Sequence, residues 1–207
     1  MPDYIDSDEL KASLALTGET FANDDVELAC SSASQAIEGY KKTWYYPAEQ
    51  TRTYQTRSLD TYIEVADLVS VTALRVDTDD NGTFETTWTE GTDFYLDPPN
   101  AELDGRPFER VVLVRRTGKF FPSSQRGVEI EGVWGWATTP KPVVQAAKIL
   151  AVRLLTRSRQ APLGIVAVGG EAVAAARLGK IDPDVAFLLD TIPGRSQSNG
   201  SGSLQLG

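Results

Sequence analysis

"GVEIEGVWGWATTPKPVVQAAKILAVRLLTR", residues 127–157, changes periodicity halfway along its length. Val128, Glu129, Ile130 and Glu131 alternate as a strand does when one face is buried. Gly135 and Trp136 then mark a turn, and Pro140 and Pro142 are suited to the first turn of a helix, where a missing N–H costs little. From Val143 to Leu155 nearly every position is apolar. Only Gln145, Lys148, Thr156 and the Arg153/Arg157 pair leave a narrow polar strip. A helix that apolar, expected over 140–158, must be packed on two sides. The stretch reads as a strand-to-helix junction, and none of its residues looks catalytic.

Upstream, β patterning extends back to about residue 51. "TRTYQTR", "LVSVTALRVD", "TFETTW", "TDFYL" and "RVVLVR" are β-branched or aromatic runs separated by turn residues, and "DPPNAELDGRP" between two of them is a loop. Five to seven short strands are expected, as a mostly antiparallel sheet or small sandwich. Helices precede this region. A short one over 7–15 is capped by Ser7. A longer one over 24–41 is capped by Asn23 or Asp24, with Val26, Ala29, Ala33, Ala36, Ile37 and Tyr40 on one stripe. Asp24, Asp25 and Glu27 sit where the helix dipole favours negative charge. A last helix, "DPDVAFLLD", has Asp182 as N-cap and Pro183 at its first position. The expected class is α+β, a helical core interrupted by an inserted β region. The boundaries are 1–50 for the first helices, 51–136 for the insertion, 137–190 for the returning helices and 191–207 for a flexible Ser/Gly-rich tail.

Composition excludes much chemistry. The 207 residues contain no histidine and one cysteine, Cys30. Histidine acid/base catalysis, Ser-His-Asp and Cys-His arrangements, His-ligated metals and a disulfide framework are thereby removed. Cys30 is expected as a small buried residue. The net charge of −9 argues against a protein held on nucleic acid by phosphate contacts. The charge is polarised, however. Residues 1–100 carry 20 acidic and 6 basic residues, and residues 101–207 carry 9 and 14. Unlike halves suit head-to-tail contacts between copies. The acidic start "MPDYIDSDEL" is unlike a signal peptide, and Lys148 and Arg153 interrupt the best candidate for a membrane span. A cytoplasm-like compartment and no membrane are expected.

Several motifs tempt a chemical reading. Asp77, Asp79, Asn81, Gly82 and Thr83 match the start of an EF-hand loop, but Trp88 stands where its last, bidentate glutamate belongs. Asn81-Gly82 between two strand-like runs is a type I′ hairpin signal instead. A metal site on Asp77, Asp79 and Asn81 is the alternative reading, because close carboxylates without a cation repel one another. Gly169-Gly170 lacks the Lys-Ser/Thr of a phosphate loop, and Glu171 follows it. Glu129 and Glu131 share a strand face and could imitate a glycosidase pair, although a solvated face is the plainer reading. Of the four tryptophans, Trp88 and Trp134 are expected in the core rather than on a ligand platform. No catalytic constellation and no cofactor follow from these motifs.

The combination of "VEIEGVWGW", "PVVQAAKILAVRLLTR", Ala161, Pro162 and Gly164, then Asp182, Pro183 and Asp184, resembles the head–tail connector (adaptor) proteins of long-tailed bacteriophages. "TDFYLDPPNAELDGRPFERVVL" looks like the actinobacterial-phage branch of that family. The resemblance implies a structural virion protein and not an enzyme. It implies a homo-oligomeric ring, typically twelvefold, below the portal protein, extending the DNA channel and presenting a surface to a neck stopper or tail-completion protein. Such a protein is assembled in the host cytoplasm, lies at the virion neck and lets DNA pass without binding it specifically. The nearly all-round apolar helix over 140–158 suits a place between neighbours in a bundle or across a subunit boundary, which makes Arg153 and Arg157 of its polar strip candidate contacts to a neighbouring copy. Under this resemblance the tail docks on the portal through Arg195 with Ile192, Leu204 and Leu206 as apolar anchors. The alternative is a calcium-dependent β-sandwich module recognising a glycan or receptor.

Overall fold

A computed structural model of the chain describes residues 2–15, 20–57, 59–160 and 181–193. The elements run α1 (Ser7–Ala15), α2 (Asn23–Lys41), β1 (Ala48–Thr56), β2 (Tyr62–Val76), β3 (Thr86–Trp88), β4 (Phe94–Asp97), β5 (Phe108–Leu113), a 3-10 turn (Arg115–Thr117), β6 (Ser124–Trp134), α3 (Lys141–Gln160) and α4 (Pro183–Asp190). The class is α+β, with helices on both sides of a mostly antiparallel sheet in the chain order. Two compact units result: 1–47 with 135–192 is helical, and Ala48–Trp134 holds all of these strands.

In the helical unit, α3 packs against α2 on one side and α4 on the other, so much of its apolar surface is covered within the chain. Val143, Ala146, Ala147, Ala151 and Leu155 are buried, and Ile149, Leu150, Val152 and Leu154 are partly buried against the same core. α2 faces it with Val26, Ala29, Cys30, Ala33, Ser34 and Ile37. The expected stripe is thus rotated: Ala36 is exposed and Ser34 is buried. Ser34 is tolerated there because its hydroxyl donates to the Cys30 carbonyl (2.9 Å) and accepts from the Tyr4 N–H (3.0 Å). Two caps also differ. Asp6, not Ser7, caps α1 by accepting from the N–H groups of Asp8 (2.8 Å) and Glu9 (3.1 Å). α2 begins after Ala22 with no side-chain cap, leaving Asp24 and Asp25 to meet its dipole. Asp182 caps α4 as expected, accepting from the Asp184 N–H at 2.9 Å.

The strands form one sheet in the order β1-β6-β2-β5-β4, with β3 paired to β2. All of these pairings are antiparallel. β2 is long enough to serve two partners. Its first half pairs with β5, its second with β6, and Leu68 is shared between Phe108 and Trp134. Irregularities in register at Leu68/Ser70 and Val71/Ala73 bend it between the two. Gly132 lies opposite this bend, where a Cβ would meet the Ser70 carbonyl oxygen at 2.2 Å. Trp134, fully buried, fastens β1 to β6. Its indole N–H donates to the Gln50 carbonyl (2.8 Å), Tyr54 stacks on it (6.0 Å) and the Arg52 guanidinium covers it (4.8 Å).

The chain enters and leaves the sheet at adjacent points, because Ala48 and Trp134 are cross-strand partners. Gly135 then turns the chain out with φ at +96°, and a Cβ there would lie 2.1 Å from the Tyr46 carbonyl oxygen. Gly135→Ala is expected to cost about 2–3 kcal/mol, combining backbone strain with a clash against main chain. Gly82→Ala, which also has positive φ but open space around it, should cost about 1 kcal/mol. Urea unfolding of the two variants checks this. Equal midpoints would show that the close approach at Gly135 constrains nothing.

Candidate functional site

The acidic loop between β2 and β3 spans 77–85, so no two-residue type I′ turn forms. Positive φ falls on Asp80 (59°) and Gly82 (85°), not on Asn81. The reason is Asp77, which is buried at the end of β2 and gathers the loop around its carboxylate. Its Oδ1 accepts from the Asn81 N–H (3.2 Å) and its Oδ2 from the Gly82 N–H (2.8 Å). Asn81 in turn donates its side-chain amide to Asp79 (3.0 Å) and Glu85 (2.9 Å), and its Oδ1 accepts from the Thr83 N–H (2.7 Å).

Oxygens of Asp77, Asp79 and Glu85 lie within 4.8 Å of one another, a donor set that suits a hard divalent cation. Asn81, a candidate ligand in the alternative metal reading, donates its side-chain amide to two of these carboxylates. Glu85 was not among the expected ligands. The EF-hand template places its bidentate carboxylate at the final position, occupied here by Trp88. The loop borders an open cleft of about 840 Å³, lined by polar groups including Thr53, Gln55, Arg57, Ser124 and Arg126, with Phe84.

Other charged groups are engaged in the sheet. Arg75 of β2 bridges Glu129 (2.9 Å) and Glu131 (3.0 Å) of β6, so the two carboxylates form a cross-strand ion cluster. These bonds raise the Arg75 guanidinium above its ordinary range, the bond to Glu129 contributing most. Asp93 is held below the usual carboxylate range by the Lys119 ammonium at 2.7 Å and then by the Thr89 N–H. Burial pushes the Cys30 thiol up to about 11, which keeps it protonated and unreactive. Trp88, Trp134 and Trp136 are buried, leaving Trp44 only partly covered and no exposed platform of four indoles.

The expected partner-contact residues separate. Arg153, with its side chain 40% exposed, pairs with Asp182 and with Asp184 (3.4 Å) at the start of α4. These pairs link α3 to the start of α4. Arg157 is exposed on the last turns of α3. Ile192, expected as an anchor for another protein, is buried in the helical core beside Val185 and Leu189, because α4 carries it back onto α3. Arg195, Leu204 and Leu206 lie outside the described residues, as do Ala161, Pro162, Gly164, the Gly169-Gly170 pair and most of the 191–207 tail.

Asp77 yields a pH signature. Burial raises its carboxyl, but the N–H groups of Gly82, Asn81 and Asp80 together with Asp79 outweigh burial and leave it below the usual range. A depressed folded-state value stabilises the fold above the unfolded value, about 3.9, and that stability is lost as pH falls through the folded value. Wild type should therefore unfold at higher urea than Asp77→Asn at pH about 7, and the gap should close progressively below pH about 4. A gap unchanged down to pH about 2 would contradict the assignment.

No protein-family model and no curated protein matches the chain. Solved structures do share its fold. A chain of "Neck of empty GTA particle computed with C6 symmetry" is 19% identical, with a TM-score of 0.53, covering 91% of this chain and 88% of that one. A chain of "Virion of native gene transfer agent (GTA) particle" is 20% identical, with a TM-score of 0.54 and the same coverage. At these identities the likeness is one of fold, and it runs through the helical and sheet units alike.

Proposed function

We propose that this chain is a structural protein of a phage-like virion neck, a head-to-tail adaptor that forms a ring on the portal protein and extends the DNA channel toward a stopper or tail-completion protein. The observation that carries this reading is the shared fold, over 91% of the chain, with a component of a gene transfer agent neck. The motifs around Trp134–Trp136, α3 and the Asp182-Pro183-Asp184 start of α4 support the same family, and the segment over 92–113 resembles its actinobacterial-phage branch. That neck was computed with C6 symmetry, which is compatible with a ring of twelve copies. A net charge of −9 suits a channel through which DNA slides without adhering. The protein acts as scaffold and not as enzyme: Glu129 and Glu131, which resemble a glycosidase pair, are tied to Arg75. Exposed Arg157 is a candidate contact to a neighbouring copy, and Arg195, Leu204 and Leu206 are candidate contacts to the portal.

Native mass spectrometry of the purified chain with the portal ring of the same particle tests this. The expected species is one portal ring carrying a closed set of copies in a multiple of six. A chain that stays monomeric and leaves the portal mass unchanged would overturn the reading.

A further inference from the structure

The outer face of the β2–β5–β4 corner is aromatic where a soluble sheet is usually polar. Tyr62 and Tyr95 are both cross-strand partners of Val112, so the three side chains share one face. The two tyrosines are each 48% exposed, while their strand neighbours Ile63, Phe94 and Leu96 are buried on the other side. Beyond β5, the 3-10 turn exposes Arg115 and Arg116, and Phe120 follows at 50% exposure. The Phe121 N–H donates to the Asp60 carbonyl (3.2 Å), which fixes this segment beside the start of β2. Along β5, Arg110 precedes Val112 on this face, opposite Glu64 of β2 and Asp97 of β4, and Arg115 and Arg116 follow it, so the apolar centre has a mixed-charge flank on one side and cations beyond the other.

A second exposed surface has the opposite character. Leu28 of α2 is 66% exposed. Asp24 and Asp25, one turn earlier on the same helix face, and the adjacent Glu27 are exposed around it. This is an apolar centre with anions at its border.

We propose that these two surfaces are partners between copies: the Tyr62/Tyr95 surface of one copy docks on the Leu28 surface of the next. Opposite charges at the borders steer and orient the contact, and the apolar centres lose water when it closes. Both complementary halves are carried by one chain, which favours a second copy as the occupant. A polyanion such as DNA would satisfy Arg115 and Arg116 but would leave Leu28 and its carboxylates unused. Because the surfaces are unlike, the contact is heterologous. Each copy then offers one of each surface, and assembly proceeds from copy to copy until it closes. The inference rests on the neck reading for ring closure, and on the two surfaces alone for the pairwise contact.

Two charge-reversed forms of the full chain test it by native mass spectrometry, each alone and mixed, with and without the portal ring. One carries Arg115→Glu and Arg116→Glu, and the other Asp24→Lys and Asp25→Lys. Each alone should need about a hundredfold higher concentration to associate, since like charges now meet at every contact. An equimolar mixture should recover association in alternating one-to-one composition, because each variant's altered surface meets the other's compatible one. That recovery also shows that both variants are folded. Variants that assemble like wild type, or a mixture that recovers nothing, would overturn this contact while leaving portal binding, and hence the neck reading, intact. Loss of duplex DNA binding by the arginine variant with rings unaffected would reassign the surface to a polyanion. A wild type that stays monomeric with and without the portal would overturn both.

Discussion

A sheet can interrupt a helical chain without disturbing it only if it leaves where it enters, and the Ala48–Trp134 pairing enforces that condition here. Antiparallel partners stand about 4.5–5.5 Å apart between Cα atoms, so the two crossings cannot separate while β1 and β6 remain zipped. The zipper is held by Trp134, whose indole is bonded to β1 main chain and covered by Tyr54 and Arg52 from the same strand. Gly135 completes the arrangement. Its positive φ and lack of a Cβ let the departing chain pass against the Tyr46 main chain. Thr139 then bonds the Tyr45 carbonyl (2.7 Å), and α3 starts two residues later. The helical core therefore closes as though the sheet were absent from its sequence.

Inside each unit, groups that look chemical are spent on architecture. Arg75 bridges Glu129 and Glu131, Lys119 pairs with Asp93, and Arg153 links α3 to the start of α4. The acidic loop follows the same logic, with the Asn81 amide set between carboxylates that would otherwise repel. The large apolar side chains that remain outward include Leu28, Tyr62, Tyr95 and Phe120.

The strand-to-helix junction, the six-strand region and the start of α4 were legible because period-2 and helical patterns, proline placement and an Asx cap are local properties of the chain. Details that depend on a distant partner were not. Ser34 looks like a surface residue until Tyr4 supplies a hydrogen-bond donor, and Arg153 looks like a polar strip until Asp182 and Asp184 arrive from beyond residue 180. Asn81-Gly82 carries a strong two-residue turn signal, but a buried Asp77 collecting loop N–H groups outweighs it. Ile192 reads as the start of a tail, and only the return of α4 onto α3 makes it core. For the candidate site, the sequence located the acidic loop, while the donor role of Asn81 and the part played by Glu85 required three-dimensional placement.

The most direct test of the proposed neck role is the position of the chain in the particle. A cryo-electron-microscopy reconstruction of the virion that carries this chain should show, immediately below the portal, a ring whose subunits each accommodate the four helices of the described residues and a six-stranded sheet of this topology. Finding that density at the tail tip or on the capsid surface, or finding the neck filled by a different fold, would contradict the account.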